Sequence, residues 1–136
     1  MPMTTYDRLR AFKWTLVAVW MAVIFRLSAL PGSAVPGRFG SVGHFGGYAV
    51  LGGLVLLALE KPSWWLRAVA LASAYGITDE LHQLFVPGRM CDPVDWVVDT
   101  TGAFVGALVV TLLLRARERG AGRTERGRIR PKPRDR

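Results

Sequence analysis

A chain of 136 residues has room for one domain. About half of its residues are apolar, yet the net charge is +8, and ten of the 18 lysines and arginines follow Leu114. Setting that stretch aside leaves hydrophobic runs that no soluble fold of this size can cover, which excludes a soluble nucleic-acid-binding domain in favour of a membrane core with a basic tail.

Crossing a bilayer takes roughly 20 apolar residues, and four segments come close to that length: about 12–30, 42–59, 64–85 and 94–114. The first is longer than the apolar region of a signal peptide and is followed by further spans, so it reads as a retained helix. The second is rich in glycine (Gly43, Gly46, Gly47, Gly52 and Gly53), which in lipid allows neighbouring backbones to approach closely. Gly43 and Gly47 are four apart, as are Gly102 and Gly106 in the fourth. The third is unconventional, because Asp79, Glu80, His82 and Gln83 occupy its last turns. Trp64, Trp65 and Trp96 suit interfacial belts. Residues 1–114 therefore read as a four-helix, all-α membrane domain, and 115–136, mixing arginine with glycine and proline, as a disordered cytoplasmic tail. The lone Cys91 permits no internal disulfide.

Basic residues flank the spans unequally. Fifteen lie at the N-terminal flank, the loop between the second and third spans and the tail, against Arg26, Arg38 and Arg89 on the other side. The positive-inside rule then predicts both termini in the cytoplasm. With that orientation His44 opens the second span at the outer surface, and Asp79 to Gln83 close the third there. Asp92, Asp95 and Asp99 begin the fourth on the same side. Asp79 and Asp99 each lie about six residues, or roughly 9 Å, inside their helix ends. Buried charges at such a depth usually face the bundle interior and find a partner, and Arg26 is the candidate for an ion pair with Asp79 or Asp99.

Helical spacing groups these residues. Asp79, His82 and Gln83 share one face, as do His44 and Tyr48, and Asp95, Asp99, Gly102 and Gly106 form a stripe. Asp92 before Pro93 also reads as a helix N-cap. The candidate binding residues are thus His44, Tyr48, Asp79, Glu80, His82, Gln83, Arg89, Asp95 and Asp99. Asp79, Glu80 and His82 are candidate acid–base groups. Carboxylates with His44 or His82 are also capable of holding a divalent metal. No recognised catalytic motif accompanies them, since Asp-Glu-Leu-His is not His-Glu-x-x-His, and no metal or cofactor is assigned.

The run Tyr75-Gly-Ile-Thr-Asp-Glu-Leu-His-Gln-Leu-Phe-Val-Pro-Gly-Arg89, followed by Asp92-x-x-Asp95-Trp96 and Asp99-x-x-Gly102, resembles the VanZ-like family. So do Ser28-x-x-Pro31 and His44-Phe45-x-x-Tyr48-x-x-x-Gly52 upstream. An Asp-Lys pair that often precedes the histidine in such proteins is replaced here by Gly40 and Ser41. The resemblance, over about residues 20–110, implies a small multi-pass protein of the bacterial cytoplasmic membrane, and the founding member is associated with low-level teicoplanin resistance.

Three functions compete. One is binding or altering an outer-leaflet lipid, a cell-wall precursor or a lipophilic glycopeptide at the rim. Another is an intramembrane hydrolase or transferase built on the Asp/Glu/His cluster. The third is a proton-coupled transporter or accessory subunit, for which four spans are few unless the chain oligomerises. Expected partners are membrane lipids, such an outer-leaflet ligand and a second copy of the chain through the small-residue stripes. No nucleic acid is expected.

Overall fold

The computed structural model describes residues 3–34 and 37–129, with backbone alone at 37–39 and 122–129. The side chain of Arg38 and tail residues 130–136, both part of the sequence expectations, lie outside that description. The described residues form four helices: α1 (Thr5–Ser28), α2 (Gly37–Leu59), α3 (Trp65–Gln83) and α4 (Pro93–Ile129). Single 3-10 turns at Gly32–Ala34 and Pro62–Trp64 lead into α2 and α3. No strand occurs among the described residues.

Local chemistry sets the helix ends. Thr4 and Asp7 form a reciprocal capping box, each side chain accepting the other's backbone N–H. Asp92 caps α4 by accepting the Val94 N–H at 2.8 Å, with Pro93 in the first helical position. α2 stops at Glu60, whose left-handed φ of 60° is unusual for a residue with a Cβ. Lys13 and Tyr6 of α1 hold the Glu60 carboxylate there, each at 2.6 Å. At the opposite end Gly88, with φ 73°, turns the chain between α3 and α4. Gly32 donates its N–H to the Pro87 carbonyl at 3.1 Å, and a Cβ on Gly32 would strike the Gly88 backbone. The α1–α2 connection is therefore pinned to the α3–α4 turn.

α2 and α4 run parallel and pack most closely, with α1 and α3 antiparallel to them. Glycine decides this contact. A Cβ on Gly102 would meet the Phe45 carbonyl, one on Gly106 the Ala49 carbonyl, and one on Gly52 the Ala103 backbone. Ala103 and Ala107 fill the same seam and are fully buried, the small-residue packing that lipid favours. Gly43 does not take part in it, and nothing lies within 4 Å of a Cβ placed there. The core elsewhere joins Val17, Ile24, Tyr48, Leu51, Val55, Leu56, Ala68 and Ala72. Val19, Leu66, Leu71, Leu112 and Leu113 point outward among many other exposed large apolar side chains, a surface suited to lipid and a liability in water.

Two expectations are corrected here. Among the described residues three helices, not four, are long and apolar enough to cross a membrane: Thr5–Ser28, Gly40–Leu59 and Pro93–Ala121. α3, with 19 residues, has the length but carries Arg67, Asp79 and Glu80, so its composition falls short. Its carboxylates are hidden inside the bundle rather than balanced by apolar residues. The second correction concerns the tail. Helix α4 continues past Leu114 to Ile129, where disorder is the expectation from residue 115. Extending a formed helix adds a hydrogen bond per residue without a new nucleus, and Ala116, Arg115, Arg117, Glu118 and Arg119 are good helix formers.

Candidate functional site

The polar side chains converge at the end of the bundle where α2 and α4 begin. α3 supplies Asp79, Glu80 and Gln83, which are 2%, 3% and 1% exposed. α2 supplies His44 and Tyr48, α4 supplies Asp99, and α1 contributes Ser28, all buried. Residues spaced three or four apart on each helix bring these groups to one face, as the sequence implies.

The contacts form two sets. His44 Nδ1 lies 2.9 Å from Asp99 Oδ1, and the Gln83 carboxamide nitrogen lies 3.5 Å from His44 Nε2 and 3.3 Å from Glu80 Oε1. One assignment satisfies all three: Nδ1–H donates to Asp99, while Nε2 accepts from Gln83. The other Glu80 oxygen accepts the Asp92 backbone N–H at 2.8 Å, tying α3 to the cap of α4. Separately, Ser28 donates to Asp79 Oδ2 at 2.7 Å. Tyr48 Oη and Asp99 Oδ2 are buried without a hydrogen-bond partner. Such orphaned groups are rare in folded proteins and call for an explanation. Gly76 keeps room for them, because a Cβ there would come within 3.3 Å of Asp99 Oδ2 and 3.4 Å of the Tyr48 ring.

Beside this cluster lies a cavity of about 200 Å³ between α1 and α2. Trp20, Val23, Ile24, Leu27 and Leu30 form its apolar wall, and Gly40, Gly43 and Gly47 its floor. Ser28, His44 and Tyr48 give it a polar end, and Arg89 borders it. Arg89 is steadied by donating from Nε to the Leu30 carbonyl at 3.3 Å. Trp20 donates to the Gly47 carbonyl at 2.8 Å and fixes the spacing of the two helices.

Not every sequence candidate joins the cluster. His82 stacks on Phe25 with ring centroids 4.1 Å apart, and its Nε2 has no partner. It faces α1, whereas Glu80, one position beyond Asp79, faces inward. Asp95 is half-buried and takes a long contact of 3.4 Å from Ser41. Arg26 corrects the ion-pair expectation: it is exposed, and among the described residues the salt bridges are Lys13–Glu60 and, only when its imidazole is protonated, His44–Asp99. The reason is helical phase. Arg26 stands two residues, about 200° of rotation, from Ser28, and Ser28 is the α1 residue that reaches Asp79. The cavity was not visible in the sequence, although Gly40, Gly43 and Gly47 recur at helical spacing beside His44. The tryptophans also have definite partners: Trp96 donates to Ser73, Trp65 meets Phe104 edge-on at 5.5 Å, and Trp64 lies between Lys61 and Arg67.

Residues 4–114 match the family model described as VanZ/LLP1, so the chain belongs to that family. Nothing among curated proteins or solved structures matches it significantly.

Proposed function

We propose that this VanZ/LLP1 protein binds the polar head and neighbouring carbons of an outer-leaflet amphiphile. The candidates are a lipid, a cell-wall precursor or a lipophilic glycopeptide of the teicoplanin type, and the outcome is altered envelope resistance. The carrying observation is the α1–α2 cavity, with apolar walls, a Ser28–His44–Tyr48 end and Arg89 at its border. Such a combination of apolar surface and a few convergent polar groups is the usual form of a small-molecule site. A guanidinium there favours phosphate or carboxylate.

The orientation belongs to the same proposal. Arg8, Arg10, Lys13, Lys61 and Arg67 sit at the end of the bundle away from the cavity, as do the arginines of α4 after Leu114. By the positive-inside rule that end and both termini face the cytoplasm of a bacterial cell. The apolar outer surface is covered by lipid and by further copies of the chain.

The test is teicoplanin susceptibility in a sensitive bacterial host expressing the chain, with membrane abundance measured for each variant. Gly43→Phe should fill the cavity, and Arg89→Ala should remove its cation. Both should lose protection at normal abundance. Wild-type protection in both variants would refute the cavity as the site.

A second reading, an intramembrane hydrolase or transferase, draws on one observation. The buried His44–Asp99 pair borders the cavity, with Asp79 and Glu80 buried nearby. A carboxylate-oriented imidazole is a suitable general base. Loss of function in His44→Ala with retained ligand binding would favour this reading.

A further inference from the structure

We propose that His44, Glu80 and Asp99 form a binding site for one divalent first-row transition-metal cation, with Zn2+ the best match. Each residue comes from a different helix, α2, α3 and α4, and each offers a ligand atom within 4.8 Å of the others. They are 9%, 3% and 0% exposed. His44 Nδ1 and Asp99 Oδ1 are 2.9 Å apart, so they need part only by about half an ångström to reach the roughly 3.3–3.6 Å that separates two tetrahedral ligands held about 2.0–2.2 Å from one ion.

Charge and geometry point the same way. Neither Glu80 nor Asp99 pairs with a lysine or arginine among the described residues. Burying two carboxylates in a low-dielectric interior without cations is costly, and one divalent ion neutralises both. Independently, Asp99 Oδ2 is buried without a hydrogen-bond partner, in space that Gly76 leaves open. The imidazole favours zinc and its transition-metal neighbours over magnesium or calcium. Binding needs a shift of tautomer and small side-chain turns at Gln83 and Glu80. The ion takes Nδ1, the imidazole proton moves to Nε2, and the Gln83 carboxamide turns its oxygen to accept it. Glu80 Oε1 then loses its Gln83 donor and turns to the ion. His44 also borders the amphiphile cavity, but the cation site does not depend on that ligand.

The experiment uses the full chain, purified in detergent, stripped with a chelator and titrated with Zn2+ or Co2+ in the absence of added lipid. Wild type should bind one ion per chain, show ligand-field bands with Co2+ and gain thermal stability with Zn2+. Losing a partner that merely steadies a ligand typically weakens metal affinity about 10–100-fold, so loss of a ligand should cost no less. His44→Ala and Asp99→Asn should therefore weaken binding at least tenfold, and His44→Ala should change the Co2+ spectrum. His82→Ala should bind like wild type. Because Asp99 is fully buried, Glu80→Gln provides the shape-preserving variant: it should fold and lose the Zn2+-dependent gain. No binding by wild type, or wild-type binding by both His44→Ala and Glu80→Gln, would overturn the assignment. Either result would leave the cavity reading standing.

Discussion

Adding one methyl group at Gly106 should destabilise the bundle, whereas the same change at Gly43 should not. A Cβ on Gly106 would collide with the Ala49 carbonyl, lying only 2.6 Å from its carbon and 3.0 Å from its Cα, whereas ordinary contact begins at 3.4 Å. The obstacle is backbone, and the carbonyl oxygen lies nearer still, so α2 and α4 must separate by more than an ångström along the most extensive interface of the fold. Overpacking of this kind costs about 1–3 kcal/mol, and rigid backbone puts it near the upper end. Alanine regains up to about 1 kcal/mol of helix propensity relative to glycine. The net loss for Gly106→Ala should be about 2 kcal/mol. Gly43→Ala has open space within 4 Å and should be neutral or slightly stabilising. Thermal unfolding in detergent, followed by tryptophan fluorescence, compares the two variants under one condition. Equal stability of Gly106→Ala and wild type, or equal damage from both substitutions, would refute the close approach of α2 and α4.

Two further predictions follow from side-chain contacts. Lys13 first, then Tyr6, hold the Glu60 carboxyl below its usual value of 4.5 by donating hydrogen bonds to it. A lowered folded-state pKa adds stability above the unfolded value and loses it as pH falls through the folded one. Wild type should therefore lose Tm on acidification from about 4.5 down through the folded value, while Glu60→Gln starts lower and shows a weaker dependence. Parallel pH profiles of Tm would rule the contact out as a contributor. Ser28→Ala should cost about 1–3 kcal/mol by leaving buried Asp79 Oδ2 without its donor. A double-mutant cycle with Asp79→Asn measures this coupling, and additive effects would mean that the bond contributes nothing.

Much of the candidate site could be read from the chain because it depends on helical periodicity. His44 with Tyr48, Asp79 with Gln83, and Asp99 with Gly102 and Gly106 share faces whatever the packing. The cap at Asp92 was equally legible, since its chemistry is confined to adjacent residues. Expectations failed where a residue's phase relative to another helix mattered. Arg26 has the charge to balance Asp79, but Ser28 has the position. His82 shares a sequence neighbourhood with the acidic residues and stacks instead on Phe25. Gly43 and Gly102 look alike as small residues spaced four from another glycine. One borders a cavity, and the other touches the backbone of α2.

The sequence by itself determined a helical membrane protein of the VanZ type, with its two histidines and the carboxylates from Asp79 to Asp99 at the bundle end opposite the basic flanks. Hydropathy, charge distribution and the 3.6-residue period are properties of the linear chain, and they suffice for that much. Tertiary structure decided which donor meets each carboxylate, that α3 hides its charges inside the bundle, and that a cavity lies between α1 and α2. Those outcomes depend on helix rotation and separation, which the glycine contacts between α2 and α4 set only once the helices have packed.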